Sequence, residues 1–151
     1  MGLFDSLNIS ASGLSAERLR MDVTAENLAN AQTTRGANGQ PYRRKEVVLQ
    51  QRGGDAFGAA LAGAMGQGQS DSNGATGGVQ VAGIVEDSTP NRRVYDPSHP
   101  DADAQGYVQM PNVDPVTEMV DLITASRSYE ANVTAMQTAK QMFTKTLDLL
   151  R

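Results

Sequence analysis

The sequence contains no cysteine and no tryptophan. Without thiols there is no disulfide scaffold, no thiolate zinc site and no cysteine nucleophile. Their absence suits an oxidising compartment without requiring one. Aromatic residues make up only 5% of the chain. Phe4, Tyr42, Phe57, Tyr95, Tyr107, Tyr129 and Phe143 are scattered so widely that no segment supplies the aromatic wall of a ligand pocket. His99 is the lone histidine, so a serine hydrolase would have to use it as base, and no GxSxG elbow is present. No run approaches the roughly 20 apolar residues that cross a bilayer, so the chain does not read as membrane-spanning. The N-terminus lacks a basic n-region and is interrupted by Asp5, which is not the pattern of a cleaved secretory signal; any export would take another route. Thirteen Lys+Arg against seventeen Asp+Glu give a net charge of -4, which argues against a nucleic-acid binder held by phosphate contacts. At 151 residues and 39% hydrophobic, the chain is sized for one modest domain.

What the chain does have is two patterned ends. Over residues 3 to 30, Leu7, Leu14, Met21 and Leu28 recur every seventh position, with Ile9, Ala16 and Val23 as a second row, which predicts an amphipathic helix. Gly13 inside it costs about 1 kcal/mol relative to alanine, so packing must sustain this helix. Near the other end, steps of three and four pick out Met119, Leu122, Ser126, Tyr129, Val133, Met136, Lys140, Phe143, Leu147 and Leu150. Eight of these ten are apolar, enough to predict a coiled-coil-like helix. Asp114 is placed to cap it, Pro115 suits its first position, and the 36 residues that follow without Gly or Pro would make a rod of about 54 Å. Val116, Val120, Ile123, Ala135, Ala139, Met142 and Leu149 widen the apolar stripe, so this helix needs more than one neighbour. That surplus points to association with other chains.

The middle is different. Residues 41 to 52 (PYRRKEVVLQQR) and 78 to 87 (GVQVAGIVED) read as strands, the second with its alternation shifted at Gly83, and RRVYDPS and GYVQMPNV add two more. Between them, residues 53 to 78 hold nine of the fifteen glycines, a composition that cannot offset its ordering entropy and predicts a flexible loop. No GxxxxGK[ST] makes it a phosphate loop. Asp96, His99, Asp101 and Asp103 gather in DPSHPDAD, but one histidine between two prolines reads as a solvated turn rather than a metal site. Neither a catalytic group, a cofactor nor a metal is expected. The basic group Arg35, Arg43, Arg44, Lys45 and Arg52 has three readings: a charged strand edge, a surface for RNA, or a contact with the acidic stretch 86 to 103 of a second copy.

The runs LNISASGLSAERLRMDVTAENLANAQTTR, PYRRKEVV, VYDPSHPDADAQGYVQMPNV and TEMVDLITASRSYEANVTAMQTAKQM resemble the bacterial flagellar basal-body rod proteins of the rod and hook axial family. The likeness covers nearly the whole chain outside residues 53 to 77. It implies a structural subunit of the proximal rod and not an enzyme. It implies an α+β fold in which residues 1–35 and 112–151 form a helical coiled-coil domain stacked around a hollow axial channel. A small β-rich outer domain would span 36–111, with its flexible loop at 53–78. The implied partners are other proximal and distal rod proteins, the MS-ring junction and its adaptor, and the flagellar type III export apparatus, which would deliver the subunit to the periplasm without a cleaved signal peptide.

On this reading assembly falls to Leu7, Leu14, Met21 and Leu28 at one end. At the other it falls to Met119, Leu122, Tyr129, Val133, Met136, Phe143, Leu147 and Leu150, with Lys140 as a polar register-setter. Asn27 and Asn30 would close the first helix and turn the chain outward through the left-handed conformation that asparagine tolerates. Arg43, Arg44, Lys45, Asp101 and Asp103 are candidate outer contacts. The alternative is a small monomeric binding module using the basic strand 43–52 for RNA or an acidic protein partner.

Overall fold

The computed structural model describes residues 3–36, 38–52 and 77–149. Apart from Gly77 and Gly78, the expected flexible loop 53–78 lies outside the described residues, as does Leu150. Helix α1 runs Leu3–Ala29 and helix α2 runs Pro115–Leu149, with four strands between them, the α+β arrangement expected. The start of α2 is set locally. Asp114 accepts the Val116 N–H (3.1 Å) and the Thr117 hydroxyl (2.8 Å), and its own carbonyl takes the Glu118 N–H (3.0 Å). Pro115 costs nothing there, because the first helical N–H has no partner in any case.

The two helices pack antiparallel. Asn27 touches Glu118, and a Cβ placed on Gly13 would lie 3.1 Å from the Asn132 amide, so a step down one helix is a step up the other and Leu3 comes level with Met142. Small side chains allow this closeness: Ser12, Ala16, Ala125 and Ala139 are all buried between the helices and strands. On α1 the buried row is the second one, with Ala16 and Val23 enclosed, while Leu7, Leu14, Met21 and Leu28 are half-buried.

On α2 the structure departs from the sequence seam. The row facing α1 is Glu118, Ala125, Asn132 and Ala139, one residue before the expected Met119, Ser126, Val133 and Lys140. Leu122, Tyr129 and Met136 flank this row and are half-buried, as is Val133. Met119, Lys140, Phe143 and Leu147 are exposed. Periodicity alone favours the larger apolar row. The chain instead pairs its helices through the row of smaller residues, and Glu118 can be enclosed because polar partners await it.

Strand β1 (Lys45–Gln51) pairs antiparallel with β2 (Val79–Glu86), from Lys45 opposite Glu86 to Gln51 opposite Val79. The register shifts between Val48 and Leu49, which leaves Ala82 as a bulge beside Gly83, where the sequence alternation also shifts. The strand starts later than residue 41 because Pro41 has no N–H and the Arg44 N–H goes to the Asn112 side chain (2.8 Å). This hairpin lies along α1. It is held at one end by Asn27 on Lys45 and at the other by the Val79 N–H on the Ser12 hydroxyl (3.0 Å). The lengths match: about 22 Å of helix from Ser12 to Asn27 against about 23 Å of strand from Lys45 to Arg52.

A second ribbon pairs β3 (Arg92–Tyr95) with β4 (Tyr107–Met110), Tyr95 opposite Tyr107 with rings 5.3 Å apart and edge-to-face. Val108 is its enclosed residue. The intervening loop is turned by its own carboxylates: Asp96 accepts from Ser98, and Asp103 from the Gln105 and Tyr107 N–H groups. Gly106 closes it at φ 82°, where a Cβ would sit 2.9 Å from the Tyr95 ring. No helix among the described residues is long and apolar enough to cross a membrane.

Candidate functional site

Pairing with α1 covers only one side of α2. On the side turned away, Val116, Met119, Val120 and Ile123 form a continuous stripe at helical spacing, each between 47% and 65% exposed. Met142 and Leu147 are likewise exposed nearer the C-terminal end. Near that end a shallow groove opens between the helices, lined by Ser10, Ala131, Thr134, Ala135, Thr138 and Met142. A stripe and a groove of this kind are suited to packing against further helices.

At the opposite end, where α1, α2 and the β1–β2 hairpin meet, the structure builds a polar clasp. Asn27 is 1% exposed and uses its whole hydrogen-bonding capacity. Its amide donates to the Lys45 carbonyl (2.8 Å) and Glu118 Oε2 (3.1 Å), and its oxygen accepts from the Lys45 N–H (2.9 Å) and the Tyr42 hydroxyl (2.9 Å). Glu118, also 1% exposed, receives Arg44 Nε on its other oxygen at 2.6 Å. Arg44 reaches on to Asp121 (3.4 Å) and Glu46 (3.7 Å). The hydrogen bond that Arg44 donates to Glu118 holds its guanidinium more firmly protonated than usual, against the opposing effect of burial. Burial, reinforced by Glu26, Glu118 and Glu86, pushes the Tyr42 phenol up to about 12. Asn112 completes the clasp, accepting the Arg44 N–H and donating to the Thr89 carbonyl (3.2 Å).

This changes the role of several expected residues. Asn27 does not cap or turn α1: it lies inside the helix, and no non-glycine residue among those described has a positive φ. Its amide is instead the tie to the strand. Asn30 does sit at the helix end, donating to the Glu26 carbonyl (2.9 Å) and accepting from the Thr33 hydroxyl (3.1 Å), again without left-handed backbone. Of the candidate outer contacts, Arg43 is exposed, but Arg44 points inward to Glu118 and Lys45 pairs with Glu26 (2.6 Å). Asp101 accepts from the Thr34 hydroxyl (2.8 Å) and lies 3.8 Å from Arg35, and Asp103 meets Arg93 at 3.3 Å. The His99 ring takes the Asp101 N–H (3.1 Å), a turn contact, and no metal-binding group of acids and histidines occurs among the described residues. Sequence reasoning missed Glu118 and Asn112, since an acid in the first turn of a helix and an asparagine before it are ordinary surface choices.

Comparison with known proteins gives a consistent answer. A family model for flagella basal body rod proteins matches residues 7–37, and one for the C-terminal part of the flagellar basal body rod FlgEFG proteins matches residues 104–149. The chain is 53% identical to flagellar basal-body rod protein FlgC of Bacillus subtilis (strain 168), covering 99% of each chain. It is 47% identical to the protein of the same description from Escherichia coli O6:H1, covering 99% of this chain and 98% of that one. It is 44% identical to the one from Borreliella burgdorferi, covering 100% and 99%.

Proposed function

The chain belongs to the FlgC family of flagellar basal-body rod proteins, and from that premise we infer that its paired terminal helices are the elements that build it into the proximal rod. Its role is structural, in the flagellar basal body alongside other rod components, and not enzymatic. In the proposed arrangement the helical part, residues 1–35 and 112–151, stacks with its neighbours around the axial export channel and transmits motor torque. The β-rich part, 36–111, faces outward. Neighbours would be other proximal and distal rod proteins and the MS-ring junction with its adaptor. The subunit would reach its periplasmic position through the flagellar type III export apparatus without a cleaved signal peptide.

One observation carries this reading. After α1 and the hairpin have packed, α2 still presents Val116, Met119, Val120 and Ile123 to solvent. An apolar stripe of that length is a cost in water and a gain between helices. Shafts that resist twist need many such dispersion contacts acting together. The RNA-binding alternative finds no support, because Arg44 and Lys45 are already paired with carboxylates of the chain.

The test is Ile123→Asp in flagellated cells. At an exposed position it should leave folding and secretion of the subunit nearly unchanged, yet prevent recovery of rods, because an unpaired carboxylate in a dry interface costs several kcal/mol. Normal rods and normal swimming from this variant would show that the stripe is not an assembly face.

A further inference from the structure

Helix α2 carries two rows able to face α1. One, with Met119, Ser126, Val133 and Lys140, is the larger and the one periodicity favours; the other, with Glu118, Ala125, Asn132 and Ala139, is the one buried. The rows differ by one residue, a turn of about 100° about the helix axis. Whichever row faces α1, the opposite side of α2 is what neighbouring subunits meet. The choice therefore decides the assembly surface, and dispersion contacts alone do not make it, since either row can be packed.

We propose that Glu118, held by Arg44 and Asn27, is the specificity-determining residue that locks the rotation of α2, and so decides which apolar face the subunit offers to its neighbours. In the observed rotation Glu118 Oε1 meets Arg44 Nε at 2.6 Å, and Oε2 meets the Asn27 amide at 3.1 Å. Both partners are themselves fixed, Asn27 by both backbone groups of Lys45 and Arg44 by its N–H on Asn112. Turning α2 by one residue would carry Glu118 away and bring Met119 in. The Asn27 amide and the Arg44 guanidinium would then lose their shared acceptor inside the junction. Polar partners in a mostly apolar helix interface penalise the wrong alignment far more than they reward the right one, which is how a single buried polar residue sets register in helix pairs. The consequence for assembly rests on the reading of the stripe given above; the lock itself does not.

The chain has no cysteine, so introduced pairs report without interference. Gly13→Cys with Asn132→Cys reads the observed rotation, since a Cβ on Gly13 already lies 3.4 Å from Asn132 Cγ. Gly13→Cys with Val133→Cys reads the rotation slipped by one residue. The two pairs are compared for disulfide yield in the full chain, with and without Arg44→Met/Glu118→Leu, which removes both charges and leaves the Asn27 amide without its Glu118 acceptor in either rotation alike. In the native background the first pair should dominate. In the altered background its advantage should fall by about tenfold or more while helix content is kept, the scale on which a lost buried polar partner is felt. An undiminished advantage would overturn the proposal. So would loss of folding, because the clasp would then hold the helices together rather than choose between rotations. In cells, the altered chain should be exported and fail to build rods. Normal rods despite a lost cross-link preference would refute the assembly role of the stripe and leave the rotational lock standing.

Discussion

Two asparagines three residues apart, Asn27 and Asn30, offer a sharp test of how this fold is held. Truncating Asn27 to alanine strands four groups: the Lys45 N–H and carbonyl, Glu118 Oε2 and the Tyr42 hydroxyl. The Tyr42 hydroxyl and the Lys45 carbonyl sit at partly exposed residues and can recover water in part. Glu118 Oε2 is the most enclosed, and a loss of that kind costs about 1–3 kcal/mol, to which the groups at the half-buried Lys45 and Tyr42 add smaller amounts. A total of about 3 kcal/mol for Asn27→Ala follows. Asn30→Ala removes an exposed bond to the Glu26 carbonyl and a contact with Thr33, for which about 0.5 kcal/mol is the expected scale. With a urea dependence of about 1.5 kcal/mol per molar, the midpoints should fall by about 2 M and about 0.3 M respectively. The assay is urea unfolding of the free subunit followed by far-ultraviolet circular dichroism, with the slope checked for constancy. Equal midpoint shifts for the two variants would refute the argument that Asn27 is the tie between helix, strand and α2.

The turn between β3 and β4 should resist a side chain: Gly106→Ala combines a φ of 82° with a Cβ 2.9 Å from the Tyr95 ring, and should cost about 1–3 kcal/mol and weaken the near-ultraviolet signal of the tyrosine pair. The cap of α2 should show in acid. The Thr117 hydroxyl, then the Val116 N–H, holds the Asp114 carboxyl below its usual range, so its stabilisation is present above the unfolded value and is lost as pH falls through about 4 and below. Melting temperatures of the native chain and Asp114→Asn should therefore converge as pH drops below about 4, and parallel curves would contradict the capping role.

How much of this was legible beforehand differs element by element. Both helices, the cap at Asp114 and the four strands follow from local chemistry: apolar spacing, a short acid before Pro115, and β-branched runs beside glycine. The break in alternation at Gly83 likewise announced the bulge at Ala82. The resemblance of both ends to rod proteins was readable for the same reason, since it rests on contiguous runs. The outward stripe of Val116, Val120 and Ile123 was visible as an excess of apolar residues, though not as a surface.

The rotation of α2 was not legible. Periodicity ranks rows by hydrophobicity, but the row turned to α1 carries Glu118 beside the small Ala125 and Ala139, and the partners of Glu118, Arg44 and Asn27, are far from it in sequence. The role of Asn27 was hidden for a related reason. Seen in sequence, an asparagine near a helix end is a stop signal, and only the strand folded back along α1 gives its amide two backbone groups to hold. Arg44 looked like part of a basic patch until Glu118, 74 positions away, met it at 2.6 Å. Local pattern thus determined which elements form, because propensity and capping act over a few residues. Tertiary structure decided which faces meet and which charges are neutralised, because those depend on partners that only folding brings together.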